Sequence, residues 1–350
     1  MLRPDLLSYG PSMTTTLHPS TVVAHEPEVV DEASRLATRW LRTIGSASVL
    51  GIIEARATKA GGLCPGPELN AALGALVGVI GGREDTPREA LLRPIAEQIA
   101  SSALDASPRW RRCAHRLRRA SARAENRLEL HHADRIRRRV QSAVGPTTSL
   151  EALLGDFPYL DNYVALVAAE VEALRRTGGK LERVVVAGAG PLPLTGLWLA
   201  HTTDASVVLV DCDALAVTTA RELVRGLERV GALPRGRIEV VHGDVRDGIG
   251  ALGADFVLVA SLVDDDAKVA LARRCRAAGR PLRIGYRGAR GLVARLAYRP
   301  LPSELEAELS RLGEAVPAQH GNVPGVIAWM PRGVLNTLAI FTPPQEPSLV

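Results

Sequence analysis

The residues best placed to do chemistry are a glycine–proline loop, a row of aspartates that follows it, and two glutamates one helical turn apart. The loop is Gly188-Ala189-Gly190-Pro191-Leu192-Pro193-Leu194-Thr195, entered from the β-branched run Val184-Val185-Val186 and leaving into the apolar stretch Leu194 to Ala200. A strand that ends in glycines and turns directly into a helix is the nucleotide-binding corner of a parallel sheet. A dinucleotide fingerprint would put its third glycine at position 193, where this chain has Pro193, with Pro191 two residues earlier. Proline carries no backbone N–H. Two donors that a diphosphate would use at a helix N-terminus are therefore missing. The loop is suited to a nucleoside without phosphates, and S-adenosylmethionine (SAM) is the ligand expected, cradled by Gly188, Gly190, Pro191 and Thr195.

In a doubly wound sheet the ligand lies across the carboxyl ends of the strands. Asp211 closes the second apolar run, 21 residues after Gly190, a spacing that suits a carboxylate accepting from ribose hydroxyls, and Asp213 is the near alternative. Asp244 closes the third run within His242-Gly243-Asp244-Val245, where it would accept from the adenine amino group while Val245 packs on the ring. Ala260, Ser261 and Leu262 close the fourth and would line the reacting end of the cofactor. Singly, each aspartate reads as a helix N-cap in a loop; together, at successive strand ends, they read as a binding rim. Glu125 and Glu129 are spaced i, i+4 and so share one helix face. By residue type alone they are ordinary partners of Arg123 and Arg127.

The elements that must hold these residues follow from the pattern of apolar runs. Residues 184–188, 207–211, 238–244 and 255–261 are short continuous apolar runs, the first three separated by helical stretches, which is the rhythm of a parallel sheet covered on both faces. A fifth strand near 281–286 and a terminal hairpin from 326–330 and 335–342 complete the count. The fold class expected is α/β, a class I methyltransferase-like Rossmann sheet with an N-terminal all-helical lid domain. From Glu28 to Val140 apolar residues recur at three and four, with Gly and Pro at the breaks. The expected organisation is a mobile leader (1–28), the helical lid (29–150), the SAM-binding sheet (151–342) and a tail (343–350).

Composition bounds the partners. The 350 residues carry a net charge of +5, supplied almost entirely by arginine and concentrated in the segment 109–140. That segment reads as a long helix with a solvated arginine face rather than a nucleic-acid surface, because only Trp110 is present for base stacking. The longest apolar stretch, Leu69 to Ile80, is too short to span a bilayer and reads as a core helix, buried in the lid or in a homodimer. Four cysteines without a C-x-x-C pair and an N-terminus without an apolar signal core lead us to expect a cytoplasmic protein with reduced thiols. Adjacent His131 and His132 complete no metal-ligand spacing, so no metal site is expected.

The loop closely resembles the G-[SA]-G-P-x-P-x-[TS] signature of the nicotianamine synthase family. The likeness continues in order along the chain. Phe157-Pro158-Tyr159 with Asn162-Tyr163 resembles an F-P-Y-x-x-N-Y block, Glu125 to His131 resembles an E-x-x-L-E-x-H helix, Gly288-Ala289-Arg290 a G-A-R, and Leu335-Asn336 the start of an I-N-S. Leu160 stands where plant members have a second tyrosine, and the family's fifth-strand arginine falls at Ile284, with Arg283 and Arg287 as the available substitutes.

The resemblance implies an unusual use of SAM. An amine attacks the γ-carbon of the 3-amino-3-carboxypropyl arm, and 5′-methylthioadenosine leaves in place of methyl transfer. It further implies that Glu125, or else Glu129, takes the proton of the amine or holds its ammonium. Tyr159 would orient the amine or the arm, and Phe157, Asn162, Tyr163 and Arg290 would belong to the substrate pocket. The acceptor would be an amino acid, a further SAM, or the arm's own amine closing to azetidine-2-carboxylate. Conventional methyl transfer is the competing reading.

Overall fold

The computed structural model describes residues 27–45, 87–142, 149–176, 181–247, 253–277, 283–289, 327–329 and 336–341, and singly residues 295, 298, 299, 301, 302, 304 and 305. The expected leader up to residue 26, the Leu69–Ile80 helix, Arg290 and the tail 343–350 lie outside the described residues. The helical half consists of α1 (Pro27–Ile44), α2 (Pro87–Ala106) and α3 (Pro108–Ser142). Each opens on a proline, which is tolerated at the first helical position because its missing N–H has no intrahelical partner there. Helix α1 therefore begins inside the stretch expected to be leader. After α3 come a short α4 (Leu150–Leu154), capped by Ser149 accepting from the Ala152 N–H, and α5 (Leu160–Arg176).

The sheet follows as β1 (Arg183–Ala187), α6 (Leu194–Thr202), β2 (Ser206–Asp211), α7 (Ala214–Arg229), β3 (Ile238–His242), β4 (Phe256–Val259), α8 (Asp265–Ala277), β5 (Arg283–Ala289), β6 (Ile327–Trp329) and β7 (Asn336–Phe341). Its strand order is β3-β2-β1-β4-β5-β7-β6, with β1 to β5 parallel and β7 running antiparallel between β5 and β6. This is a Rossmann-like α/β fold, and the strands fall on the apolar runs read from the sequence. The runs are continuous because both faces are buried. Val184, Val186, Val207 and Leu209 enter one core, while Val185, Ala187, Val208 and Val210 enter the other.

Helix α3 joins the two halves. Its Ala114, Leu117 and Ala120 pack into the α1–α2 core, whereas Leu128, Ala133, Ile136 and Val140 pack into the sheet core. Between Ala120 and Leu128 the helix changes partners, and Glu125 stands in that interval, with Glu129 just past it. The boundary between helical and sheet parts thus runs through a continuous helix rather than at a linker. Among the described residues, no helix is long and apolar enough to cross a membrane.

A buried ion pair ties α5 to the sheet. Arg287 on β5 donates through Nε and Nη2 to the two oxygens of Glu170, both at 2.7 Å, and Nη2 also donates to Thr195 Oγ1 at 2.9 Å. The side chains are 6% and 2% exposed. Removing one partner strands the other charge in low dielectric. We expect Arg287→Met to destabilise the fold by about 3–5 kcal/mol in urea denaturation, with Arg287→Met/Glu170→Leu recovering most of the loss.

Candidate functional site

A cavity of about 740 Å³ opens at the carboxyl ends of β1, β2 and β4. Its floor is the loop from Gly188 to Gly196; its rim is built from Asp211–Asp213, Gly243–Arg246 and Ala260–Ala267. Helix α3 closes the opposite side with Ala122, Glu125, Asn126 and Glu129, joined by Tyr163, Arg287, Tyr298 and Arg299. Asp and Glu outnumber Arg on this lining, so the cavity suits a cationic ligand.

Two glycines permit the loop. Gly188 and Gly190 adopt φ of +75° and +71°, a region that side chains rarely enter. A Cβ on Gly190 would stand 2.6 Å from Glu129 Oε2, so backbone and carboxylate could not both keep their places. The Gly188 N–H donates to Val210 O at 2.9 Å, and the Gly190 N–H donates to Asp211 Oδ2 at 2.8 Å. The Leu192 N–H donates to the Glu129 carboxylate. The loop is clamped between two carboxylates, one from β2 and one from α3. Pro191 and Pro193 offer no donors, as anticipated, and the donors of Gly190 and Leu192 are already used.

The rim aspartates divide their duties. Asp211 accepts from Gly190 and, through Oδ1, from the Asp213 N–H at 2.9 Å. A ribose would share these oxygens, each of which retains acceptor capacity. Asp213 has the N-cap role, accepting from the Leu215 and Ala216 N–H groups at the start of α7. Asp244 is forked by Arg246, whose Nε lies 2.9 Å from both carboxylate oxygens, and this partner holds the carboxyl below its ordinary range. Val245 is buried at the rim. Ser261 is buried, and its carbonyl accepts from the Nζ of Lys268, a fully enclosed lysine whose pKa burial lowers to about 8.

The two glutamates face the loop from above. Each opens onto the cavity, yet protein atoms surround the carboxylates closely enough that desolvation governs their chemistry. Burial raises Glu125 to about 7, against the opposing effect of a hydrogen bond from the Tyr298 hydroxyl to Oε1. Glu129 is raised well above the carboxylate range by burial, then by Glu125 and Asp211. The phenols are raised first by burial, then by Glu129 and Glu125 for Tyr163 and by Glu125 for Tyr298, so both remain protonated donors.

The aromatic block supports this arrangement from behind. Phe157 is buried 5.2 Å from His132, 5.8 Å from Tyr159 and 6.2 Å from Tyr163, all edge-on. Of the block, Tyr163 reaches the cavity, whereas Phe157 and Tyr159 do not line it and Asn162 is exposed. Tyr298 was not anticipated. It belongs to no motif, and its scarcity as one of five tyrosines was the only signal in the sequence. Among the described residues, no three His, Cys, Asp or Glu side chains converge as metal ligands.

The family model described as nicotianamine synthase protein matches residues 90–306. Nicotianamine synthase 9 of Hordeum vulgare is 37% identical over 153 residues, covering 42% of this chain and 42% of the relative. Nicotianamine synthase-like 5 protein of the same plant is 33% identical over 178 residues, covering 48% and 58%. The chain spans about half the length of the curated relatives it matches. Among solved structures, MtNAS in complex with MTA and tNA superposes with a TM-score of 0.58 at 20% identity, over 89% of this chain and 97% of that one. A glutamate-to-glutamine mutant of MtNAS in complex with S-adenosylmethionine gives 0.55 at 20% identity, over 90% and 98%. At this identity the likeness is one of fold.

The raised Glu125 makes stability depend on pH with a definite sign. The folded chain holds this proton to about pH 7, while the unfolded chain releases it near 4.5. The contribution is full below the unfolded value and is lost as pH rises through that window. Relative to the parent, Glu125→Gln should therefore gain up to about 3 kcal/mol between pH 4.5 and pH 8, read as the difference in melting temperature at the two pH values.

Proposed function

The chain belongs to the nicotianamine synthase family, and from that premise we propose that it is a SAM-dependent 3-amino-3-carboxypropyl transferase releasing 5′-methylthioadenosine. The observation that carries this reading is the pair Glu125 and Glu129, half-buried on one face of α3 and lining the cavity, with Glu129 against Gly190 of the glycine–proline loop. A methyl donor site needs the loop and the rim; it does not need two carboxylates brought down onto the loop by a helix outside the sheet. The complexes of MtNAS with MTA and with S-adenosylmethionine support SAM as the ligand.

The residues present suit that ligand. Asp211 and Asp244 both line the rim and are the acceptors we assign to the ribose and the adenine, and the acidic lining favours a sulfonium and an ammonium over an anion. In the reaction, the lone pair of an amine attacks the γ-carbon, the C–S bond breaks, and its electrons return to sulfur, leaving a neutral thioether. The amine must first be unprotonated and must finish by losing a proton. Glu125 is the base for that proton: near pH 7 it alternates between ionised and neutral, whereas Glu129 keeps its proton and serves as a donor. The two titrate as a coupled pair, so the lower step belongs chiefly to Glu125. Tyr163 faces the same pocket as a phenol that stays protonated.

The substrate is a small molecule, with no role for nucleic acid or a membrane. The acceptor is an amino acid, a further SAM, or the arm's own amine, and the product is a small metal-chelating or azetidine-containing amino acid. Incubation with SAM, followed by mass spectrometry of the released nucleoside, tests the reading. Methylthioadenosine is expected; S-adenosylhomocysteine would identify a methyltransferase instead. Glu125→Gln should abolish turnover while SAM affinity by calorimetry stays near that of the parent. The parent's kcat should rise with pH through about 7, as the base becomes ionised. Asp211→Ala should weaken SAM binding by one to two orders of magnitude, since a diol acceptor and the Gly190 clamp are lost together, about 1.5–3 kcal/mol.

A further inference from the structure

Taking Glu125 as the base leaves open which of its two oxygens receives the proton and what holds the carboxylate still. Oε1 already accepts from the Tyr298 hydroxyl, a contact between residues 173 apart in sequence. Glu129 on its own helix and Tyr163 from α5 interact electrostatically with this carboxylate, and Arg287 from β5, Asp211 from β2 and Arg299 line the same cavity. Arg287 is committed to Glu170 and Thr195. Arg299 lies 3.3 Å from Asp265 and 3.6 Å from Asp264. Tyr298 thus donates to Glu125 from its hydroxyl, and its phenol stays protonated.

Tyr298 is itself held from α3. Arg118, seven residues before Glu125 and on the same side of the helix, donates through Nε to the Arg295 carbonyl at 2.7 Å. Arg295 pairs with Asp105 on α2 at 2.5 Å. Arg295 is therefore pinned to α2 and α3, Tyr298 to α3, and Arg299 to the start of α8.

We propose that Tyr298 is a positioning residue for the transfer: its hydroxyl fixes Oε1 of Glu125 and leaves Oε2 to take the proton of the attacking amine, while Arg118 holds Tyr298 in register through the Arg295 carbonyl. The amine nitrogen loses a proton, Oε2 gains it, and the phenol keeps its own. This rests on the reading of Glu125 as base. A hydrogen bond to the ionised carboxylate favours that form, so losing it makes the base harder to ionise and frees the carboxylate to rotate.

The test uses the full-length chain with Tyr298→Phe and Arg118→Gln, methylthioadenosine release followed against pH, and SAM affinity by calorimetry. Tyr298→Phe is expected to keep SAM affinity within about twofold, lower kcat about tenfold or more, and move the rising limb of the pH profile about one unit alkaline. Arg118→Gln should move the limb in the same direction by less. A role in packing alone would lower the melting temperature and the active fraction with the limb unmoved, and that result in either variant overturns the proposal. If Tyr298→Phe gives no folding transition, Arg118→Gln carries the same readout. Failure of the underlying reading is visible elsewhere: the parent would release no methylthioadenosine, or Glu125→Gln would retain full turnover, and the assignment to Tyr298 would fall with it.

Discussion

Everything at the site depends on the burial of two carboxylates against a loop whose backbone has almost no donors left to give. Desolvation penalises the charged forms of Glu125 and Glu129, and their proximity to each other and to Asp211 adds to the cost for Glu129. The loop offsets only part of this, with one N–H from Leu192 to Glu129. The result is a pair in which one member stays neutral and the other ionises near neutrality. Two identical side chains on one helix face become chemically distinct because Tyr298 touches one and Asp211 stands near the other.

The scaffold supplies this tension from two directions. The parallel sheet delivers Asp211 to the Gly190 N–H at the end of β2 and sets the loop at the end of β1. Helix α3 delivers the glutamates from outside the sheet, in the interval where its apolar residues have left one core and not yet entered the next. A helix turn committed to neither core has room for side chains that face a cavity. The Arg287–Glu170–Thr195 network fixes the first turn of α6 behind the loop, so the floor cannot yield to relieve the crowding above it.

The sheet was legible in the sequence because its signals are local. Continuous apolar runs flanked by Gly, Asp and helical stretches mark strands buried on both faces, and the strand ends then locate Asp211, Asp244 and Ser261 without further information. The glutamates were legible as a pair on one face, but their proximity to the loop was not, because it follows from how α3 packs. Tyr159 illustrates the same limit: position in a motif suggested the pocket, yet its ring packs edge-on against Phe157 while Tyr163, four residues on, reaches the cavity. Tyr298 and Arg287 act across 173 and 117 residues of chain, and no periodicity or spacing encodes such contacts.

Helix α3 also constrains how this protein can be taken apart. From Pro108 to Ser142 it contains no glycine and no second proline, so nothing interrupts its hydrogen-bond ladder over about 50 Å. It serves as a single beam shared by two cores. A fragment cut after the beam would keep the cradle for the nucleoside and lose the acid pair, and a fragment cut before the sheet would carry the acid pair with nothing beneath it. Assembly of the reactive centre is therefore inseparable from the folding of both layers onto one rod.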